Sequence, residues 1–327
     1  MLKIRGKIPC YHQFGDIGKD SNVDRNSVSW RGYLPAITTP FDESGALDLT
    51  ALKTLLEWLA EQGMHGVIVA GTTGEWFSMS RDERAQLFAC VGDVLKGELP
   101  IIAGCNAFTA ENVIQNSHVA AQCGFDGILV TPPPYVRPCE REVIAFYEDV
   151  NSGSPLPICV YNWPPGTNLD LSKETLLTLA QLDNVVAIKN STGDRGHFLD
   201  VMRALRDQVR VFGIPMNRDG AQLVLDNEAD GTMGAAGVLG QVQPDFYNAL
   251  WAGDTERGLA AAAQDARIME DWFNIDYTAK FGSAQAIFKT ALNLQGLPGG
   301  YPRRPILPLS DQDTASVRKT LEELGRL

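Results

Sequence analysis

The 327-residue sequence lacks an excess of positive charge, since 28 lysines and arginines stand against 40 aspartates and glutamates, a net charge of −12. An acidic chain repels phosphate backbones and anionic lipid surfaces, so we expect no binding to nucleic acid or membranes. No uninterrupted apolar run reaches the roughly 18 residues that a membrane-spanning helix needs. An anionic small molecule can still bind, because a pocket can concentrate positive potential locally.

Patterns typical of metal sites and disulfide frameworks are also missing. The six cysteines form no CxxC pair, and the four histidines form neither an HxH nor an HExxH pair. We therefore predict no metal site and reduced cysteines, as in the cytoplasm. The first 12 residues contain no apolar segment of a secretory signal, which also favours a cytoplasmic location.

A regular alternation of short apolar runs and helical patterns begins at Gly32. Eight runs start 21 to 34 residues apart, at 34–40, 66–71, 100–105, 126–131, 157–162, 185–190, 209–213 and 230–235. Their near-continuous apolarity is typical of parallel strands buried on both faces. Helical patterns fill the gaps, for example after Asp48 and after the capping box of Ser80 and Glu83.

This alternation predicts an α/β fold, a (β/α)8 TIM barrel with a C-terminal helical extension. An open doubly wound sheet is the alternative, but no GxGxxG turn follows the first strand. The predicted organisation is an N-terminal extension or arm over 1–31, the barrel over 32–242 and a helical region over 243–327. That last region would cover the outside of the barrel or form a subunit interface.

Active sites of such barrels lie at the carboxyl ends of the strands, which directs attention to Lys189. This lysine directly follows the apolar run 185–188. If it points into the barrel, desolvation lowers its pKa and leaves a neutral amine that can form an imine with a carbonyl. The alternative is a lysine that reaches solvent or pairs with an acid.

Other strand ends carry groups that suit imine chemistry. Tyr161 ends the strand before Lys189 and is a candidate proton shuttle, while Thr72 and Tyr135 could extend a relay by hydrogen bonding. The turn from Gly71 to Gly74 offers backbone N–H groups and two hydroxyls, which suit a carboxylate. A tight turn with hydroxyls that cap the backbone, and aromatic side chains at the rim, are the alternatives.

Together these segments resemble the dihydrodipicolinate synthase/N-acetylneuraminate lyase family of class I aldolases, over about residues 32–300. The resemblance rests on TTPFDESGALD, GTTGEWFSMSRDER, TPPPY, VYNWPPGT, VVAIKNSTGD and ADGTMG, in this order. It implies a (β/α)8 barrel, a homotetramer built as a dimer of dimers, and neither a metal nor an organic cofactor. The substrate it implies is a small 2-oxo acid such as pyruvate.

The resemblance also implies roles for individual residues. Lys189 falls on the lysine that forms the Schiff base, and Tyr161 falls on the general acid/base. Thr72 and Tyr135 fall on the proton relay, in which the tyrosine after the fourth strand reaches the active site of the partner subunit.

Substrate-binding positions follow in the same way. Thr73, between Gly71 and Gly74, falls on the residue that binds the substrate carboxylate, and Met233 falls on the position whose backbone faces the ligand. Dihydrodipicolinate synthases usually carry an arginine where this chain has Gly166. Loss of that carboxylate clamp argues against an amino-acid semialdehyde as second substrate, and Gly166 with Thr167 indicates a less charged, polyhydroxylated partner.

We therefore expect a Schiff-base lyase that acts on a 2-oxo acid, either as an aldolase or as a dehydratase of a 2-keto-3-deoxy sugar acid. Both reactions proceed through the same enamine. The alternatives are dihydrodipicolinate synthase proper, a non-catalytic barrel that binds a 2-oxo acid, and an isomerase that binds phosphate on the glycines after the eighth strand.

Overall fold

A closed barrel of parallel strands forms the centre of the molecule. The computed structural model describes residues 24–226, 228–234 and 236–327. Within these ranges the strands are β1 (Gly32–Tyr33), β2 (Val67–Val69), β3 (Ile101–Gly104), β4 (Gly127–Val130), β5 (Ile158–Asn162), β6 (Val185–Asn190), β7 (Arg210–Phe212) and β8 (Gly231–Thr232).

The strands are all parallel. In the sheet β1 pairs with β8, and from β8 down to β3 each strand pairs with the one that precedes it in the chain. A parallel bridge between Ala36 and Ile68 joins the two ends of the sheet. There the Ile68 N–H donates to the Pro35 carbonyl at 2.8 Å, and the Ile37 N–H donates to the Ile68 carbonyl at 3.0 Å. The predicted (β/α)8 barrel is confirmed.

Helices surround the barrel. They are α1 (Leu49–Glu61), α2 (Arg81–Leu95), α3 (Ala110–Gln122), α4 (Glu140–Gly153), α5 (Pro164–Thr167), α6 (Lys173–Leu179), α7 (Arg195–Leu205), α8 (Arg218–Leu225), α9 (Val242–Trp251), α10 (Thr255–Trp272), α11 (Ala284–Leu294) and α12 (Asp311–Glu323). Short 3-10 helices span Arg25–Ser27 and Trp76–Ser78. The predicted caps of α1 and α2 are confirmed, because Asp48 accepts two backbone N–H groups and Ser80 forms a capping box with Glu83.

Two apolar layers hold the barrel together. Inward-facing side chains, among them Ile68, Leu129 and Phe212, pack with one another inside the barrel. Outward-facing strand residues pack against the helices in a larger core. Both faces of the strands are therefore buried, which accounts for their near-continuous apolar sequence.

Residues 24–31, the described part of the predicted N-terminal arm, lie against the amino-terminal end of the barrel. Trp30 is buried in the inner layer, and its indole leaves no room for a side chain at Gly127. Arg25 forms an ion pair with Asp230 at 3.1 Å, and the same carboxylate accepts a hydrogen bond from Arg210 at 2.7 Å. Residues 1–23 lie outside the described residues, and the boundaries 1–31, 32–242 and 243–327 stay a prediction.

The C-terminal helices do more than cover the outside of the barrel. Side chains of α10 and α11, and of the loop between them, form one wall of a cavity above the carboxyl ends of the strands. No helix in the described ranges is long and apolar enough to cross a membrane.

Candidate active site

A cavity of about 770 Å³ opens at the carboxyl ends of the strands. One side is formed by strand ends and the loops that follow them, including Thr72, Thr73, Tyr161, Lys189, Ser191 and Met233. The opposite side is formed by α10, α11 and their connecting loop, including Asp265, Met269, Tyr277 and Gln285. This is the location that the barrel fold predicts for an active site.

Lys189 is one of the residues with which the barrel strands line this cavity. It is the fifth residue of β6 and is only 6% exposed. Burial lowers the pKa of its ammonium to about 8, so a substantial fraction of the amine is neutral near physiological pH. No carboxylate of the described residues pairs with it, which leaves the amine available to a carbonyl carbon.

Tyr161 is the direct neighbour of Lys189. The two residues are paired across β5 and β6, and the Lys189 Nζ lies 4.2 Å from the centre of the Tyr161 ring. Burial raises the pKa of the phenol well above its usual value, while hydrogen bonds with the hydroxyls of Ser191 and Thr72 act in the opposite direction. Tyr161 is therefore a neutral phenol linked to two further hydroxyls, an arrangement that can pass a proton.

Thr72 and Thr73 line the cavity, whereas Gly71 and Gly74 do not. Gly74 meets a packing requirement, because a Cβ at this position would lie 2.9 Å from the Ala70 nitrogen. The glycines thus shape the turn that presents the threonines.

Glu75 anchors this turn. The residue is fully buried and adopts a left-handed backbone conformation, with a φ of 56°. Its carboxylate pairs with the Lys289 ammonium at 2.5 Å and accepts from the Arg303 backbone N–H at 2.9 Å. The Gln285 amide also donates to the Thr72 carbonyl at 2.9 Å, so α11 holds the turn at two points.

The structure does not bring Tyr135 or Thr167 into the cavity. Tyr135 is 94% exposed on the loop after β4, with a left-handed φ of 83°. The Thr167 hydroxyl is buried and donates within its own loop, to the carbonyls of Trp163 at 2.9 Å and Leu169 at 3.2 Å. Met233 lines the cavity beside Gly234, and its role in binding the ligand stays a prediction.

Trp163 occupies the space next to Gly166, the position at which the family resemblance implies an arginine in dihydrodipicolinate synthases. Its indole stacks on the Tyr161 ring, with 5.8 Å between ring centres and 24° between planes. A Cβ at Gly166 would collide with this indole. The glycine and the tryptophan therefore belong together, and the place of a charged clamp is taken by an aromatic surface that lines the cavity.

Sequence reasoning does not select Ser191, Asp265 or Tyr277. Ser191 lies two residues after Lys189, within the motif already noted, so this signal was available. Asp265 sits in an alanine-rich helical stretch and Tyr277 in a loop, far along the chain from every strand end, and no pattern marks them. Burial raises the pKa of Asp265 to about 6, and a hydrogen bond from Gln243 opposes that shift.

A (β/α)8 barrel whose cavity holds a buried lysine beside a tyrosine defines the class of Schiff-base-forming lyases. The family model described as the dihydrodipicolinate synthetase family matches residues 29–324. The chain therefore belongs to the dihydrodipicolinate synthetase family.

Individual relatives agree with this assignment. The chain is 31% identical over 296 residues to a 4-hydroxy-tetrahydrodipicolinate synthase of Corynebacterium aurimucosum, which covers 89% of this chain and 94% of the relative. It is 30% identical over 302 residues to an uncharacterized DapA-like lyase of Rhizobium meliloti, covering 92% and 97%. Among solved structures, the dihydrodipicolinate synthase of Acinetobacter baumannii complexed with pyruvate superimposes with a TM-score of 0.79 at 27% identity, covering 91% and 99%.

Proposed function

We propose that the protein is a lyase that binds a 2-oxo acid as an imine of Lys189 and then breaks a bond at C3 or C4. The observation that carries this proposal is the buried Lys189 amine, its pKa lowered to about 8, beside the Tyr161 phenol in the cavity. A neutral amine attacks a ketone, and the resulting iminium withdraws electrons from the neighbouring carbons.

In the first step the Lys189 nitrogen attacks C2 of the 2-oxo acid and forms a carbinolamine. The carbinolamine loses its hydroxyl as water, and Tyr161 donates the proton that this leaving group needs. The hydroxyls of Thr72 and Ser191 then return a proton to the phenol. Thr73, with the backbone N–H groups of Thr72 and Thr73, holds the C1 carboxylate during these steps.

In the second step the iminium accepts an electron pair. In an aldolase the C3–C4 bond breaks, the C4 hydroxyl becomes an aldehyde and its proton passes to a base. In a dehydratase a proton leaves C3 and the C4 hydroxyl departs as water. Both routes pass through an enamine at Lys189. In the aldolase the enamine takes up a proton at C3, and in the dehydratase it expels the C4 hydroxyl; hydrolysis of the resulting imine then releases the 2-oxo acid product and frees Lys189. Because the imine itself supplies the electron sink, we propose that no metal or organic cofactor takes part.

We also infer that the chain works in the cytoplasm as a homo-oligomer, a tetramer assembled as a dimer of dimers. The exposed side chains of Tyr135, Val136 and Phe108 support an interface on the loops after β3 and β4, because large apolar groups at a surface often mark contacts between chains. The family resemblance supports the tetramer.

Dihydrodipicolinate synthesis is the second candidate function, and the names of the relatives favour it. The aromatic surface of Trp163 over Gly166 weighs against it, since no arginine of the described residues lines the cavity to bind the carboxylate of an amino-acid semialdehyde. Condensation of pyruvate with such a semialdehyde, at a rate above that of any sugar acid cleavage, would favour this second function.

The proposed function is tested by reduction with sodium borohydride in the presence of pyruvate, followed by mass spectrometry of the peptides. We expect a reduced pyruvyl adduct on Lys189. Lys189→Ala should form no adduct and lose all turnover while it keeps the circular dichroism of the wild type. Lys280→Ala, at the rim of the same cavity, is the matched control and should still be trapped at Lys189. Binding of 2-oxo acids without an adduct would instead support a non-catalytic barrel.

A further inference from the structure

The cavity wall formed by the C-terminal helices carries a carboxylate that the proposed chemistry does not use. Asp265 lies on α10, is 6% exposed and lines the cavity. No lysine, arginine or histidine of the described chain forms an ion pair with it. Carboxylates this deeply buried usually have a cationic partner, so a function other than support of the fold has to account for its position.

A buried amide fixes the orientation of this carboxylate. The Gln243 Nε2 on α9 donates to the Asp265 Oδ1 at 2.7 Å, and the Leu239 backbone N–H donates to the Gln243 Oε1 at 3.3 Å. The Asp265 Oδ2 accepts no hydrogen bond from the part of the chain that the structure describes. One carboxylate oxygen is thus held by the protein, and the other remains an acceptor for a molecule in the cavity.

Tyr277 adds a second polar group to the same wall. It lines the cavity from the loop between α10 and α11, and its phenol makes no hydrogen bond within the described ranges. Burial, and then the charge of Asp265, raises the pKa of Tyr277, so the phenol stays neutral and can both donate and accept. Two other nearby phenols are already engaged, since Tyr33 donates to the Gly234 carbonyl and Tyr247 bonds the Thr232 hydroxyl.

The cavity offers little to a second negative charge. Among its described lining residues the cations are Lys189 and Lys280. The Lys280 ammonium donates to the Glu270 backbone carbonyl at the exposed rim. The Trp163 indole packs against Gly166 and lines the cavity, and its flat face suits the C–H groups of a carbohydrate chain.

We propose that Asp265 and Tyr277 form a distal subsite that binds the hydroxyl groups of a neutral, polyhydroxylated tail on the 2-oxo acid. The proposal rests on the proposed function in one respect, since the tail extends from the carbonyl carbon held at Lys189. Asp265 accepts hydrogen bonds from hydroxyl groups of the tail, Tyr277 bonds another, and Trp163 packs against the carbon chain.

Binding is measured by calorimetry with acids that cannot form an imine. The probes are 3-deoxygluconate, in which the C2 carbonyl of 2-keto-3-deoxygluconate is reduced to an alcohol, and lactate, which is pyruvate reduced in the same way. The ratio of the two Kd values isolates the contribution of the hydroxylated tail. In the wild type we expect 3-deoxygluconate to bind at least about tenfold more tightly than lactate, as hydrogen bonds to a charged group predict.

Asp265→Asn removes the charge with little change of shape. It should weaken 3-deoxygluconate binding roughly tenfold to hundredfold and leave lactate binding within about twofold. Glu256→Gln makes the same chemical change at an exposed position of the same helix outside the cavity, and both Kd values should match the wild type. Tyr277→Phe, which removes only a hydroxyl, should weaken 3-deoxygluconate binding about threefold. If Asp265→Asn does not fold, this variant tests the subsite on its own.

Equal wild-type affinities for the two acids would overturn the subsite, and so would an Asp265→Asn or Tyr277→Phe variant that keeps the full advantage of 3-deoxygluconate. Tighter binding of the diacid 3-deoxyglucarate than of 3-deoxygluconate would contradict a neutral tail. The result is separate from the proposed function, because neither probe reacts. If 3-deoxygluconate binds more tightly than lactate but no adduct is trapped with borohydride, only the imine mechanism is contradicted. If the adduct is trapped but the two acids bind equally, only the subsite is contradicted.

Discussion

At the scale of a single residue, Lys189 acquires its reactivity from its surroundings. An ordinary lysine is almost fully protonated at neutral pH and is a poor nucleophile. Inside the barrel the Lys189 ammonium is shielded from the water that would solvate it, and no carboxylate of the described residues compensates for the lost solvation. The pKa therefore falls from 10.5 to about 8. The neutral form that attacks a carbonyl thus becomes accessible near physiological pH.

This shift predicts the pH dependence of imine formation. As the pH rises through about 8, Lys189 loses its proton, so the rate of borohydride trapping with pyruvate should rise about tenfold from pH 7 to pH 9 and then level off. The rate is measured at constant ionic strength with subsaturating pyruvate, which does not titrate in this range. Circular dichroism at each pH controls for unfolding. A rate that is flat across the range, or that continues to rise tenfold per unit above pH 9, would contradict the burial argument.

Individual site residues differ in how far the sequence predicts them. Lys189, Tyr161, Thr72 and Thr73 follow apolar runs directly, so their place at one end of a barrel follows from strand order alone. Asp265 reaches the same cavity because α9 and α10 fold back over the barrel, and the contact with Gln243 spans 22 residues between two helices. No local pattern encodes that approach, because it depends on how the helices pack.

At the scale of elements, a buried ion pair ties the loop after β2 to α11. Glu75 and Lys289 lie 2.5 Å apart with their side chains 0% and 1% exposed, and the Arg303 backbone N–H completes the carboxylate's partners. Thr72 and Thr73 lie on this same loop, so the pair positions two threonines that line the cavity. The C-terminal helices thereby support the site as well as enclose it.

Removal of the Lys289 ammonium should therefore destabilise the fold strongly. Lys289→Met leaves Glu75 as a buried carboxylate without its cation, which should lower the free energy of unfolding by about 3–5 kcal/mol. Lys319→Met is the matched control, since that side chain is 74% exposed, and it should change stability by less than about 0.5 kcal/mol. Urea denaturation followed by circular dichroism measures both.

A second variant separates the ion pair from simple packing. In Glu75→Gln/Lys289→Met no buried charge of the pair remains, so the double variant should lose less stability than the sum of the two single variants. Additive losses would show that the two side chains contribute independently, and the pairing argument would then fail.

Element boundaries show where local sequence stops being decisive. The run 34–40 predicts the first strand, but β1 pairs with β8 at Gly32 and Tyr33, and the chain then bridges to β2 at Ala36. A closed barrel requires its strands to tilt and stagger, so a strand pairs with its two neighbours at different heights. Apolar periodicity reports which residues are buried, and it does not report that stagger. Helical periodicity and caps are local signals, and the chain after the eighth strand forms the helices α9 to α12.

At the scale of the whole molecule, we propose that Tyr135 connects the active site to oligomer formation. In the single chain its side chain is 94% exposed and outside the cavity. The resemblance of TPPPY to the family's strand-four motif places this tyrosine in the partner subunit's site. If so, a Tyr135→Ala subunit keeps every residue that it contributes to its own site around Lys189. It fails only to supply the tyrosine to the site of its partner. A Lys189→Ala subunit has the opposite defect.

Mixing the two inactive variants should then restore activity. After subunit exchange at equal concentrations, half of the dimers are mixed, and each mixed dimer contains one site with both Lys189 and Tyr135. Activity should therefore return to about one quarter of the wild-type value, because a two-fold interface exchanges the same residues in both directions. Native mass spectrometry with one variant isotopically labelled confirms the exchange. Exchange without recovered activity would show that Tyr135 does not act across the interface, since a tyrosine that served its own subunit could not repair a neighbouring site.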